Sequence, residues 1–207
     1  MILMLNDNDI LSKGTNKIVY RYPGDNTRCI KLSLWDNTDI QYELKYRKAC
    51  KNIVKNSSLL TKYYGRIDTN LGIGYIFELV RDYDGNVSET LKDFILKGKD
   101  VSKVFSVLKL LKKKLFAEKI ITYKLFPDNV MIQRITAQEV RVRIIDGIGM
   151  HVFLPLPYYI ELFARLRRKQ IWMRFMNYLC EECELSMKPS VRNGTVPAVE
   201  ITSKRNF

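Results

Sequence analysis

The first 80 residues alternate short strand-like runs with turn-forming clusters, whereas helical periodicity dominates the residues that follow. Ile30, Leu32 and Leu34 alternate with polar or charged positions, which is the pattern of a half-buried strand. Similar runs at Asp9 to Lys13 and Ile18 to Tyr22 precede it, separated by turn residues. We predict three successive antiparallel strands. Because strands come first and helices later, the expected fold class is α+β.

One helix and two further strands complete the predicted first part. The helix should run from about Asp39 to Ile53, and the strands from Tyr63 to Ile67 and from Gly74 to Val80. Beyond them the clearest helix has apolar residues at alternating spacings of three and four, namely Val101, Val104, Leu108, Leu111 and Leu115. Asp100 or Ser102 is a suitable cap for its first turn.

The polar run Arg81 to Gly85 is a candidate boundary between two lobes of one domain. Short strands are predicted near Val130 to Gln133 and Val140 to Ile145, followed by a basic, aromatic-rich helix from Tyr158 to Leu179. We predict a single domain over residues 1–187, with a first lobe of residues 1–80 and a reduced, mainly helical lobe of residues 81–187. Residues 188–207 are predicted to form a loosely ordered tail.

The net charge of +13 is the strongest bias in the composition. Such a surface attracts phosphate-rich partners such as nucleotides, nucleic acid or anionic lipid. No apolar run is long enough to predict a transmembrane segment, and the N-terminus lacks the pattern of a signal peptide. The four cysteines imply no disulfide framework, so a reducing, cytoplasmic location is expected.

Residues able to bind phosphate come first along the chain. Leu11 to Tyr20 is a turn between two predicted strands, with Gly14 inside it and Ser12 two residues earlier. Lys31 ends a Cys-Ile-Lys triplet in the next strand, and Glu43 lies in the following helix. This order resembles the glycine-rich loop, strand lysine and helix glutamate of protein kinases. The resemblance implies that Lys31 contacts phosphate and that Glu43 holds its ammonium group by an ion pair.

The segment from Ile120 to Val130 resembles a kinase catalytic loop with one decisive change. Thr122-Tyr123-Lys124 stands where His-Arg-Asp is expected, so Lys124 replaces the aspartate that orients and deprotonates the attacking hydroxyl group. Asn129 and Asp146 match the two magnesium-binding positions. An amide oxygen and a carboxylate are suitable ligands for that ion. The strand that ends with Glu78, Leu79 and Val80 resembles the hinge whose backbone groups contact adenine.

Several stretches together resemble the bacterial YrbL family, which is named for the PhoP regulatory network. They cover about residues 10–185 and comprise Gly14 to Tyr20, Cys29 to Lys31, Glu43 to Tyr46, Asn70 to Gly74, Asp82 to Gly85, Ile120 to Ile135 and Asp146 to Leu156. The resemblance implies a compact, two-lobed relative of the protein-kinase fold, with an antiparallel sheet and one helix in its first lobe. It also implies regulation within a PhoP-type response.

Lys124 makes conventional kinase activity doubtful, because a protonated lysine cannot accept the proton of a substrate hydroxyl group. We therefore expect a regulatory pseudokinase that binds ATP and Mg²⁺, with Ser12, Gly14, Lys31, Glu43, Glu78 and Val80 at the nucleotide and Asn129 and Asp146 at the metal. A regulatory protein partner fits the same interpretation.

Two alternatives stay open. An atypical kinase or a nucleotidyl or phosphoryl transferase remains possible, because phosphoryl transfer depends largely on positioning and electrostatic stabilisation. A basic nucleic-acid-binding module is less favoured. Its candidate surface combines Lys112 to Lys114 with Arg165 to Lys169, but charge runs are commonly solvent-exposed helix faces.

Overall fold

The structure, a computed structural model, describes residues 2–34, 38–98, 100–150 and 156–182. The predicted tail, residues 188–207, lies outside the described residues. A five-stranded antiparallel sheet in the order β1-β2-β3-β5-β4 occupies the first part of the chain. Its strands are β1 (Ile10–Lys13), β2 (Lys17–Arg21), β3 (Arg28–Ser33), β4 (Tyr63–Thr69) and β5 (Gly72–Glu78). The α+β class and the three initial antiparallel strands are confirmed.

The central strand β3 is buried on both faces, not on one. Ile30 and Leu32 pack with Tyr20 and Leu5 on one side, whereas Cys29 packs with other buried residues on the opposite side. The predicted outward position of its polar residues was therefore wrong. The reason is that other elements of the structure cover the second face, so side chains on both faces of this strand are buried.

The predicted helix after β3 is confirmed but is divided in two. α1 (Thr38–Ala49) and α2 (Lys51–Asn56) meet at Cys50, whose backbone has left helical geometry. Within α1, Ala49 is exposed while Tyr46 is fully buried. Two charged residues of α1, Glu43 and Arg47, are also buried. A sequence pattern that counts only apolar residues misses this buried ion pair.

The second part of the chain combines a small sheet with the main hydrophobic core. Its described elements are β6 (Glu89–Thr90), α3 (Leu91–Leu96), α4 (Val101–Ala117), β7 (Val130–Arg134), β8 (Val140–Ile144), α5 (Leu156–Tyr159) and α6 (Glu161–Glu182). The strands pair antiparallel in the order β6-β7-β8. α4 buries the predicted residues Val104, Leu108, Leu111 and Leu115, and the Asp100 side chain accepts a hydrogen bond from the Ser102 amide, as expected for a cap. None of the helices in the described ranges is long and apolar enough to span a bilayer.

Backbone and side-chain hydrogen bonds join the two parts. Leu60 forms a parallel bridge with Ile144, and the Ile144 amide donates to the Leu59 carbonyl at 2.7 Å. At the predicted polar break, the buried Asp82 carboxylate accepts hydrogen bonds from Ser88 and from Arg134 in β7. The break is therefore a fixed junction, because a buried carboxylate is stabilised only where donors surround it.

The core around α4 gives a direct test of this packing. Leu111 is fully buried, so truncation to alanine leaves a cavity and should lower the free energy of unfolding by about 2–5 kcal/mol. Leu111→Met keeps the volume and should cost less than about 1.5 kcal/mol. Urea unfolding followed by circular dichroism measures both values. Equal losses for the two variants would contradict the packing described here.

Candidate functional site

Lys31 lies on the buried strand β3 and points toward the segment that follows β8. Its side chain is buried, its Nζ donates to the Ile145 carbonyl at 2.5 Å, and its ammonium group lies 4.0 Å from the centre of the Phe77 ring. Removing such a charge from water is costly unless partners compensate for it. The contact therefore holds the five-stranded sheet against residues 145 and 146.

Asp146 follows immediately, and its carboxylate forms an ion pair with Lys17 at the start of β2. The next residue, Gly147, has a positive φ of 74°, and a Cβ there would meet the Lys124 carbonyl oxygen at 2.2 Å. Only glycine allows this close approach of two backbone segments. The Asp-Gly pair thus fixes Asp146 beside the catalytic-loop-like segment, as its order in the sequence suggested.

The electrostatics of this cluster favour an ionised Asp146. Burial alone would raise the pKa of this carboxyl group, but the nearby ammonium groups of Lys31 and Lys17 outweigh burial and hold the pKa below its ordinary value. The pKa of Lys17 is also lowered, first by burial and then by Lys31, although Asp146 opposes both. Two lysine side chains thus act on the one Asp146 carboxylate.

Glu43 does not pair with Lys31, contrary to the expectation from sequence. Its buried carboxylate instead pairs with Arg47, whose Nη2 and Nε lie 2.6 and 2.8 Å from Glu43 Oε1. Arg47 lies one helical turn further along the same face, so the pair forms within α1. Arg47 Nη2 also donates to the Thr61 carbonyl at 2.9 Å, which holds the guanidinium group in place.

Asn129 and Lys124 lie at opposite sides of a short turn. The Asn129 Nδ2 donates to the Lys124 carbonyl at 3.1 Å. The backbone carbonyl of Asn129 accepts a hydrogen bond from the Ile145 amide, and Ile145 immediately precedes Asp146. Lys124 Nζ lies 3.0 Å from the Asp39 carboxylate in the first turn of α1. The cation that stands in the place of the catalytic aspartate therefore also joins the loop to α1.

Two adjoining cavities converge on these residues. The inner cavity, about 570 Å³, has apolar walls that include Leu11, Val19, Phe77 and Met131. Its lining includes the charged residues Lys13, Lys17, Lys31, Glu78, Asp93, Asp128 and Asp146, together with Ser12, Gly14, Val80 and Asn129. The outer cavity, about 840 Å³, shares Lys17, Lys31 and Asp146 and extends to Asp39 and Lys124.

The predicted loop and hinge residues reach the inner cavity in different ways. Ser12 and Gly14 are exposed on β1 and in the following turn, where the Gly14 amide donates to the Lys17 carbonyl at 2.9 Å. The Glu78 side chain accepts hydrogen bonds from Arg143 and from the Lys62 amide, so it is committed away from the apolar wall. Its backbone amide donates to the Lys62 carbonyl at 3.0 Å, so it is also committed within the sheet.

Sequence reasoning missed Lys17, although its position carried a signal. It stands five residues after Ser12, where the kinase loop that Leu11 to Tyr20 resembles has its third glycine. A long cationic side chain at that point reaches the carboxylate across the cavity. The turn between β1 and β2 therefore contributes the Lys17 ammonium group to the inner cavity in addition to its backbone amides.

Replacement of Lys17 should shift the titration of Asp146. With Lys17→Met, one of the two cations that lower the pKa of Asp146 is lost, so that pKa should rise. Because the native pKa is lowered, the ion pair stabilises the protein above the unfolded-state pKa and this stabilisation is lost as the pH falls through the folded-state value. Carboxyl ¹³C NMR measures the pKa, with the exposed Lys13→Met as the control. An unchanged Asp146 titration would refute the pairing.

Comparison with known proteins identifies a family that covers most of the chain. Residues 3–179 match the family described as PhoP regulatory network protein YrbL. The chain is 29% identical over 182 residues to the Uncharacterized protein YrbL of Escherichia coli (strain K12), an alignment that covers 84% of this chain and 87% of the relative. The YrbL protein of Shigella flexneri aligns with the same identity and coverage. This chain belongs to the YrbL family of PhoP regulatory network proteins.

Proposed function

We propose that the protein is a regulator that binds ATP in the inner cavity and has little or no phosphotransfer activity. The observation that carries the proposal is the convergence of Lys31, Lys17 and Asp146 at the polar end of a cavity with apolar walls. A concave apolar pocket with a few convergent charged groups is the usual form of a small-molecule site. The PhoP regulatory network of the family supports a regulatory role.

A two-lobed, kinase-like arrangement is part of the same proposal. The antiparallel sheet with α1 inserted between β3 and β4 would form the first lobe, over residues 1–80, and the elements from β6 onward the reduced second lobe, over residues 81–187. The inner cavity takes residues from β1, β3 and β5 on one side and Asn129, Met131 and Asp146 on the other. A cleft between lobes is a common place for a ligand.

The nucleotide would place its base and phosphates at different ends of the inner cavity. Leu11, Val19 and Met131 offer the apolar surface that suits an adenine ring, next to the backbone of Glu78 and Val80. Lys31 and Lys17 supply positive charge for the phosphates. A fully buried ammonium group attracts phosphate more strongly than an exposed one, because less water screens it.

Magnesium fits the site only in competition with Lys17. Asn129 and Asp146 offer the oxygen ligands that Mg²⁺ prefers, and both line the inner cavity. The Asp146 carboxylate is already paired with the Lys17 ammonium group, however. When bound, the ion would neutralise phosphate charge. Lys17 provides part of that neutralisation itself, so we propose a nucleotide site with weak magnesium dependence.

The catalytic-loop-like segment has a lysine, Lys124, at the position of the expected general base. Lys124 carries a positive charge and is held by Asp39. A cation at this point can stabilise phosphate charge, but it cannot deprotonate an acceptor hydroxyl group. Binding without turnover therefore fits the described residues better than transfer, and an atypical transferase is the alternative that a turnover assay would reveal.

ATP titration of the purified protein tests the proposal. We expect saturable binding by isothermal titration calorimetry, with a loss of about tenfold or more in affinity for Lys31→Ala, since one buried charge contact with phosphate is worth roughly 1.5–3 kcal/mol. Lys109→Ala, which removes an exposed lysine of α4 outside the inner cavity, is the matched control and should bind as the native protein does. Absence of nucleotide binding in the native protein would refute the function.

Magnesium dependence provides a second test with a different readout. In native protein, addition of Mg²⁺ should change the affinity for ATP only slightly, because the Lys17 ammonium group already occupies Asp146. In Lys17→Ala the carboxylate is released, so Mg²⁺ should increase affinity by about tenfold or more, the effect of one restored charge contact. The same titrations with and without EDTA measure the difference. Strong magnesium dependence in native protein would contradict the assigned role of Lys17.

A turnover assay then separates regulator from enzyme. Release of ADP from ATP should not exceed that of the buffer for native protein or for Asp146→Ala. Turnover that depends on both Lys31 and Asp146 would overturn the regulatory assignment and establish the transferase alternative.

A further inference from the structure

We infer that a second cavity, on the opposite side of Thr61 and Glu78 from the nucleotide cavity, binds a small polyanion that carries several phosphate groups. This basic cavity has a volume of about 980 Å³ and lies where α1, α2 and the start of β4 meet β8. Nothing in the proposed nucleotide site requires it. Its charge and its buried donors carry the inference.

Two buried arginines form the floor of the basic cavity. Arg47 is fixed by Glu43 and the Thr61 carbonyl, and Arg143 by Glu78 at 2.6 Å and the Leu60 carbonyl at 3.0 Å. Both guanidinium groups are thus oriented by protein groups before any ligand arrives. A planar guanidinium group can donate to two oxygens of one phosphate group.

The floor also contains polar atoms whose hydrogen-bonding capacity is unused. Arg143 Nε and Thr61 Oγ1 are buried and have no hydrogen-bond partner among the described residues, and both residues line the cavity. Buried polar atoms are paired in most native structures, so two unpaired ones at one cavity need an explanation. A bound anion that draws these side chains toward itself supplies one.

The walls carry charge that the described lining residues do not neutralise. Five exposed cations surround the floor, namely Lys48, Lys51, Lys55, Lys62 and Arg141. Among the described residues that line the cavity, Glu78 is the one acid, and Arg143 already pairs with it. Glu118 lies behind Ser57 and Ser58, whose hydroxyl groups donate to it, and it is compensated by Lys114. The excess positive charge therefore faces the cavity.

Shape favours a small ligand over a nucleic-acid strand. Single-stranded nucleic acid is bound along open grooves in which aromatic rings stack on successive bases. Here the cations surround one concavity, whose apolar lining includes Leu44, Val54 and Leu60 beside Tyr63 and Tyr64. Its volume lies at the upper end of the range for small-molecule sites. A compact polyphosphate, either a free chain or one esterified to an organic group, satisfies both charge and shape.

Glu78 and Thr61 line both the basic cavity and the inner cavity. An anion that draws Arg143 toward itself also acts on the Glu78 carboxylate, because the two side chains form an ion pair. Glu78 is also a lining residue of the inner cavity. The basic cavity is therefore placed where its ligand can influence the nucleotide site.

Calorimetric titration with inorganic tripolyphosphate, and separately with inositol hexakisphosphate, tests the inference. The double variant Lys51→Ala/Arg141→Ala removes two exposed wall cations without disturbing the floor and should lower affinity by about tenfold, since each exposed contact contributes a fraction of that effect. Lys109→Ala/Lys113→Ala removes two exposed charges from α4 and is the matched control. Binding by this control, and by Lys31→Ala in the nucleotide cavity, should equal that of the native protein. Tripolyphosphate binding assigns a free chain, and binding of inositol hexakisphosphate alone assigns an organic ester.

Three outcomes would overturn the inference. The first is no binding of either probe, and the second is equal weakening by the wall and control variants, which would indicate attraction by net charge alone. The third is weakening by Lys31→Ala but not by the wall variant, which would place the anion in the nucleotide cavity. Tighter binding of a 20-nucleotide single-stranded RNA, lost in the wall variant, would replace the small ligand with nucleic acid. Because Lys31→Ala is read separately, failure of the ATP proposal does not affect the result.

Discussion

The arrangement of the site depends on the hydrogen bond from the buried Lys31 ammonium group to the Ile145 carbonyl. Lys31 lies on the central strand of the larger sheet, and its acceptor lies one residue before Asp146. A charge in this position is tolerated only because a carbonyl dipole, an aromatic face and a nearby carboxylate compensate for it. The same contact therefore holds the sheet to the segment after β8 and defines the polar end of the inner cavity.

Much of the fold follows from the sequence because its elements are local. Alternation set the first strands, and apolar spacing identified α4 with its cap at Asp100. The order of Lys31, Asn129 and Asp146 was also sufficient to predict that they line one cavity. The partners of charged side chains were harder to predict from the sequence, because they depend on which groups meet across the core. Glu43 could pair either with Lys31 or with Arg47 in its own helix, and the sequence did not show which cation it would choose.

The displaced Glu43 links the two cavities in a single explanation. With its carboxylate committed to Arg47, the guanidinium group is held rigidly and reaches the Thr61 carbonyl. On the other side of the same segment, Arg143 contacts Leu60 and Glu78. Glu43 and Glu78 thus hold the two arginines that form the floor of the basic cavity.

Substitution of cations at two positions determines what such a site can do. In the kinase pattern that the sequence resembles, Lys17 stands at a loop glycine and pairs with the aspartate expected to bind metal, and Lys124 stands at the expected base. A tethered ammonium group carries one positive charge, whereas Mg²⁺ carries two and can bridge phosphate oxygens in a fixed geometry. In the proposed site, the two lysines would attract phosphate without the alignment and proton transfer that catalysis needs. Reversible binding of an anion, and not its chemical conversion, is the property that these substitutions favour.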